Sequence, residues 1–369
     1  MFPWKPLPMS KRDLFRSPFD EGTMIKLKIF EDYFKEWLPV FTANPDPIWK
    51  EIQIFDLFAG EGKDVNNVPG SPIRILTIIN DNRDLIIKSK VKISVIFNEI
   101  EKIKFDLLKD NIHSIIDAEI CKVRCYNEDF NIVFDRYYES MKATANFLFL
   151  DQNGIKQITE DVFLKLIQLR QTDLLFFISS SYVKRFAEME EFSKYLKITK
   201  QHLSGKSYYH IHRIIVEYYR NLIPSNRAYF VAPFSIKKAS GIYGLIFGTN
   251  HSYGLEKFLN VCWKHDGLTG EANYDIDNER INLAKPSLFH ELNVPNKRQV
   301  FETNLRKKII EKELKSNCDV YMYSLCEGFL PKDANLILKE LKQTNKISFD
   351  FKMASSKIHK QIISYIKVA

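Results

Sequence analysis

At 369 residues, 45% of them hydrophobic, the chain is long enough to bury a large core and to divide into two domains. Charged residues make up 27%, and no apolar run reaches the roughly 18 to 20 residues of a membrane helix, which excludes a membrane-spanning class. The net charge is +8, and it is concentrated: from Lys285 to Ala369 there are 16 Lys and Arg against 9 Asp and Glu, a balance that suits either a nucleic-acid-facing surface or a merely soluble one.

The first residues, MFPWKPLPMSKRD, lack an apolar stretch and a small-residue cleavage site, so no secretory signal is expected. Five scattered cysteines suit a reducing, cytoplasmic compartment better than a disulfide framework. Cys121 and Cys125 stand four apart, but no second Cys or His pair has metal-ligand spacing, and no metal site is expected.

An amphipathic helix is predicted over residues 23–41, where Leu27, Phe30, Phe34 and Trp37 recur at helical steps. Asn44 to Pro47 ends it. Five apolar strands follow, at 52–56, 93–99, 118–126, 147–151 and 173–179, with helices between them at 72–80 and 160–170. Strands alternating with helices imply a mostly parallel sheet covered on both faces. Helices at 182–197 and 208–223, then two strands at 227–234 and 240–250, complete this part. A helix-rich basic segment begins near residue 286, giving domains 1–285 and 286–369.

The first strand breaks into Asp56-Leu-Phe58-Ala59-Gly60-Glu-Gly62-Lys63-Asp64. A P-loop fails here, because position 57 is Leu and Lys63 is followed by Asp. A dinucleotide fingerprint fails at Val65. The pattern Asp-x-Phe-Ala-Gly-x-Gly resembles the first motif of Rossmann-like S-adenosylmethionine methyltransferases, in which glycine lets the backbone approach the cofactor. Successive strand ends supply further acids. Glu99 stands where ribose hydroxyls are bound, Asp129 where adenine is contacted and Asp151 where catalytic side chains sit. The intervening loop 63–70 reads as a lid over the site or as a surface loop without a role, with Ser71 as N-cap and Pro72 opening the next helix.

Four segments together resemble the three-Cys-motif partner (TcmP) family: residues 20–41, the turn at 56–64 with Gly-Ser-Pro at 70–72, residues 243–264 and residues 328–341. The resemblance implies a methyltransferase-like Rossmann domain followed by a winged helix, and a three-Cys-motif protein as partner. The chain departs from the family at its fourth strand. Asp151-Gln152-Asn153-Gly154 stands in place of Asp-Pro-aromatic-Gly, so the ring that would stack on a flipped base is missing. Asp151 could still orient an acceptor and Asn153 could hydrogen-bond it.

In the basic segment, Ala334, Ile337, Leu338 and Leu341 form an apolar stripe, while Lys332, Asn335, Lys339, Lys342 and Lys346 form a polar one. Such a helix, followed by a strand, suits the recognition helix of a winged helix-turn-helix on DNA or RNA, a solvated face, or a protein-docking face. The histidines of His-Ile-His-Arg at 210–213 lack a third ligand. Two functions remain open. One is an S-adenosylmethionine-dependent methyltransferase of nucleic acid or a nucleotide. The other is a non-catalytic adaptor that keeps the cofactor fold and docks a partner.

Overall fold

Mostly apolar strands such as Ala145–Leu150 and Thr172–Ile178, buried at every position, require cover on both faces. The computed structural model, which describes residues 17–152, 157–187, 195–238, 241–280, 295–351, 358–359 and 362–369, supplies that cover. Its main sheet has seven strands: β1 (Glu51–Asp56), β2 (Lys92–Asn98), β3 (Lys122–Tyr126), β4 (Ala145–Leu150), β5 (Thr172–Ile178), β6 (Phe230–Lys238) and β7 (Gly241–Thr249). Their order is β3-β2-β1-β4-β5-β7-β6. The first five are parallel, and β7 runs antiparallel to both β5 and β6. This is the mostly parallel, Rossmann-like, methyltransferase-type sheet that the sequence predicts. Pro233 fits because β6 is an edge strand, where a missing N–H costs least.

Helices α1 (Glu21–Thr42), α2 (Ser71–Asp81), α3 (Arg83–Ser89) and α4 (Lys102–His113) precede β3 in the chain. Helices α5 (Phe130–Met141), α6 (Glu160–Ile167), α7 (Ser180–Phe186) and α8 (Ile211–Asn221) follow it, and α9 (Ser252–His265) follows β7. The buried side chains of α1, α2 and α9 share one core with one face of the sheet, while those of α5, α6 and α8 share a second core with the other. Tyr219 is fully buried and donates to the Ile158 carbonyl at 2.9 Å, and Tyr218 donates to Glu160 at 2.6 Å, so both serve packing.

Three local expectations are corrected. The strand expected from 118 begins at Lys122, because Asp117 closes a turn: its side chain accepts from Glu119 N and its carbonyl from Cys121 N. The helix expected over 182–197 is Ser180–Phe186, with 188–194 outside the described residues. The N-cap of α2 is Gly70, not Ser71, and it makes no side-chain cap.

Helices α10 (Lys297–Ile310), α11 (Asn317–Cys326) and α12 (Pro331–Gln343), with the two-stranded sheet of β8 (Ile347–Ser348) and β9 (Lys367–Val368), form the C-terminal part. It shares the α1 and α9 core, and Trp263 donates to the Gly328 carbonyl at 2.9 Å. The expected domain boundary at 285 lies outside the described residues. None of the described helices is long and apolar enough to cross a membrane.

Candidate active site at the sheet's C-terminal edge

Chain order reverses between β1 and β4, so their C-terminal ends flank a crevice where open α/β sheets take ligands. The β1 end carries the glycine turn. Gly60 has φ 63° and Gly62 φ 88°, the left-handed region that a side chain resists. The turn is fixed from β2: Ala59 N donates to the Asn98 carbonyl at 3.0 Å, and Gly60 N donates to Glu99 Oε2 at 3.0 Å. Glu99 Oε1 accepts from Glu101 N at 2.8 Å. Glu99 therefore shapes the turn with the carboxylate that the sequence assigns to a ligand. Asn98, which the sequence reading passes over, ties three strand ends together, donating to the Leu57 and Glu128 carbonyls.

Asp56 is completely buried beneath the turn. Its Oδ1 accepts from Phe58 N at 3.4 Å, and its Oδ2 meets no donor at hydrogen-bond geometry, although the Ser71 hydroxyl is close to the carboxyl. Burial pushes this carboxyl up to about 7, and the nearby Asp151 charge pushes the same way. The Ser71 hydroxyl, the Phe58 amide and Lys26 oppose the rise without removing it. Phe58 stacks on Phe130, with centroids 5.3 Å apart. Asp129 is exposed and caps α5, accepting from Asn131 N at 2.8 Å.

Loop 63–70 is a closed hairpin rather than a free lid. Lys63 and Pro69 form a bridge, and Asp64 Oδ1 accepts from Asn66 N and Val68 N at 2.9 and 2.8 Å. Asp64 Oδ2 accepts from Phe19 N at 2.8 Å, which fastens the hairpin to the approach of α1. A Cβ on Gly70 would come within 3.0 Å of the Gly62 carbonyl oxygen, so the two glycines pack backbone to backbone.

The largest addition to the sequence reading is a pair of lysines. Asp151, at the end of β4, is ion-paired with Lys26 of α1; the lysine side chain is 3% exposed and the aspartate 25%. Lys238, the last residue of β6, has a side chain only 5% exposed. Its Nζ donates to Thr23 Oγ1 at 2.9 Å and lies 3.9 Å from Asp20. Both ammonium groups stand over the Phe177 ring, at 4.9 and 5.1 Å, and Phe177 stacks on Tyr243. Burial pulls the Lys238 amine down to about 8; Lys26 adds to the effect, while Asp151 and Asp20 oppose it. Gly22 makes the approach of β6 to α1 possible, since a Cβ there would lie 2.3 Å from Lys238 Cγ. One signal was available in the sequence: Lys26 precedes Phe30 by four residues, which places a cation on the apolar stripe of α1. Asn153 lies outside the described residues.

No family model matches the chain, and no curated protein matches it. Solved structures do resemble it. An O-methyltransferase from Bacillus cereus in complex with SAH is 13% identical, covers 63% of this chain and 91% of its own, and has a TM-score of 0.32. The O-methyltransferase TomG from Streptomyces achromogenes, in complex with SAM, is 8% identical, with 65% and 99% covered and a TM-score of 0.32. A human methyltransferase 10 domain containing protein is 10% identical, with 62% and 83% covered and a TM-score of 0.32. With scores this low, the fold assignment rests on strand order and direction and not on these overlaps.

The sequence also marks the C-terminal helix. In α12 the apolar stripe Ala334, Ile337, Leu338 and Leu341 is buried, as expected. Lys332, Lys339 and Lys342 are exposed on the helix, and Asn335 is half-buried. Lys346 is exposed but off the helix, which ends at Gln343; Asn345 turns left-handed at φ 56°. Lys342 is folded back, donating to the Phe349 carbonyl at 2.7 Å. The histidines of the 210–213 stretch bind carboxylates: His210 pairs with Asp277 at 2.7 Å and His212 with Glu271 at 2.9 Å. Among the described residues no acidic, His or Cys cluster could hold a metal ion.

Proposed function

We propose that the protein is an S-adenosylmethionine-dependent methyltransferase acting on nucleic acid or a nucleotide, together with a three-Cys-motif partner. The observation that carries the cofactor is the left-handed Gly60–Gly62 turn at the switch point, above the partnerless Oδ2 of Asp56. A bare glycine backbone admits the methionine end of the cofactor, and a carboxyl oxygen lacking a donor suits its ammonium group. Glu99 retains acceptor capacity for ribose hydroxyls beyond the two amides it holds. When bound, the cofactor supplies a methyl group on a positively charged sulfur. The chain's own residues then have to orient an acceptor near Asp151 and take up its proton.

The nucleic-acid part of the reading rests on the exposed Lys332, Lys339 and Lys346 beside a half-buried Asn335. The partner rests on the family resemblance in the sequence. Calorimetry with S-adenosylmethionine and S-adenosylhomocysteine tests the cofactor. Gly60→Ala should abolish the binding heat, and a thermal melt separates lost binding from the strain that any side chain brings to this left-handed position. Absence of binding by the wild type at millimolar ligand overturns the reading. Binding without methyl transfer, even with the partner present, favours the adaptor.

A further inference from the structure

We propose that the methyl acceptor at this site is a hydroxyl group, with Lys238 as the base that takes its proton and Lys26 as the countercharge to its oxygen. This rests on the methyltransferase reading above. Within a nucleic-acid chain, the hydroxyl available is the ribose 2′-hydroxyl of RNA.

The sign of the developing charge decides between acceptors. An amine that attacks a methyl carbon becomes positive before it loses its proton. The Lys26 ammonium beside it would oppose that charge, and the two nearby carboxylates are engaged, Asp151 by Lys26 and Asp20 by the first turn of α1 and Lys238. An oxygen nucleophile becomes negative as its proton leaves, and a buried cation favours it. A carboxylate acceptor has no proton to lose, so it would leave a neutral amine without a task. Near neutral pH a base must give up its own proton readily. Lys238 meets that condition, because burial and the Lys26 charge hold its amine at about 8.

The groups facing Lys238 come from every element packed on it. Asp20 and Thr23 lie at the start of α1 and Lys26 one turn further along it. Asp151 follows β4, Phe177 lies in β5 and Tyr243 in β7. Asp151 lies within the field of both lysines and is a quarter exposed at the end of β4, beside the switch-point crevice, which marks the acceptor's side of the cluster; Asp20, though 40% exposed, is at the start of α1. Asp151 is therefore the positioning residue for Lys26 rather than the base.

In the step, the acceptor's O–H proton passes to the Lys238 amine while the oxygen forms a bond to the methyl carbon. The carbon–sulfur bond of the sulfonium donor breaks, and its electron pair stays on sulfur, cancelling the positive charge. The Lys238 ammonium then releases the proton to water. One methyl ether, one thioether and one proton result.

The first test needs no cofactor. The full-length protein carrying 13C at lysine Cε is titrated by NMR, with Lys238→Arg assigning the resonance. Lys238 should titrate near pH 8, and Lys26→Met should move its titration upward by removing a neighbouring cation. Titration of Lys238 alongside the exposed lysines overturns the base assignment. In the second arm, protein and tritiated S-adenosylmethionine are incubated with total RNA, which is then digested to nucleosides. Label on ribose supports the proposal, and label on a base amine overturns it. Lys238→Arg, which cannot shed its proton, should lower ribose labelling at least 100-fold while S-adenosylhomocysteine affinity changes less than about twofold. Full activity in that variant overturns the base. Cofactor binding with no label on RNA overturns RNA as the source of the hydroxyl. Absence of cofactor binding overturns the methyltransferase reading itself.

Discussion

Two buried charge clusters lie in the same molecule and are built in opposite ways. Around Glu271, whose side chain is 8% exposed, the donors are plentiful: His212 Nε2 at 2.9 Å, Arg213 Nε at 2.5 Å and Nη2 at 3.0 Å, and Lys297 Nζ at 3.2 Å. Arg213 also reaches Asp277 at 2.7 Å. Burial alone would raise the Glu271 carboxyl, but Lys297, His212 and Arg213 hold it well below its ordinary range. Burial pulls the His212 imidazole below its ordinary value, while Glu271 opposes the fall, and its Nδ1 has no partner. Around Asp56 and Asp151 the balance is different. One carboxyl has an oxygen without a donor, and one lysine amine is pulled toward neutrality. The first cluster has a donor on every oxygen of Glu271 and Asp277, with only His212 Nδ1 left over, and it ties α8, the 271–277 loop and α10 together. The second keeps unspent capacity at the sheet edge where ligands bind. A buried polar group that stays incompletely satisfied costs stability, and active sites are where such a cost persists.

The contrast predicts different losses. Glu271→Ala should be the most damaging change, destabilising the fold by about 3–5 kcal/mol, because Arg213, Lys297 and His212 lose their shared acceptor. A loss below about 1 kcal/mol in urea denaturation would remove the distinction between the clusters.

Asp56→Asn should act in the opposite direction and depend on pH. The folded-state pKa, about 7, lies above the ordinary 3.8, so the unfolded chain gives up its proton first as pH rises. The stability that the protonated carboxyl contributes is fully present below pH 4 and is lost between pH 4 and 7. Stability of the variant relative to wild type should therefore rise by up to about 4 kcal/mol between pH 4 and pH 8, since each tenfold difference in proton affinity is worth ~1.4 kcal/mol. Thermal melts at the two pH values check this, and a pH-independent difference would contradict the raised carboxyl.

Asp64→Ala removes the acceptor of three backbone amides and should cost about 2 kcal/mol. If loop 63–70 were an unsupported lid, hydrogen exchange at Asn66 and Val68 would already be fast in the wild type and would not change. The smallest effect on the fold is expected for Lys332→Glu with Lys339→Glu, within about 0.5 kcal/mol, since both side chains are exposed. Their effect belongs to binding: the slope of log affinity against log salt for a duplex should become shallower by about 0.9 per lost phosphate contact. An unchanged slope would take these lysines out of a nucleic-acid interface.

Much of this architecture was readable from the residues alone. Apolar runs buried on both faces announced β1, β2, β4 and β5 within a few residues, because nearly every position of such a strand must be covered, whereas the edge strand β3, with no fully buried residue, was expected four residues too early. The left-handed turn was legible from Gly60 and Gly62, since few other residues tolerate that backbone. The apolar stripe of α12 followed from helical spacing, while the expected polar stripe overran the helix at Lys346. Other features depend on contacts between distant segments. Lys26 and Asp151 are 125 residues apart in the chain, and Lys238 arrives from a strand whose edge position no local pattern fixes. Glu99 reads the same in sequence whether it holds a ribose or an amide of the turn, and only the approach of β2 to β1 turned it toward Gly60. Sequence determined the local conformations, because propensity and periodicity act over a few residues. Tertiary structure decided which charges were neutralised and which were left poised, because that depends on burial and on neighbours brought in from far along the chain.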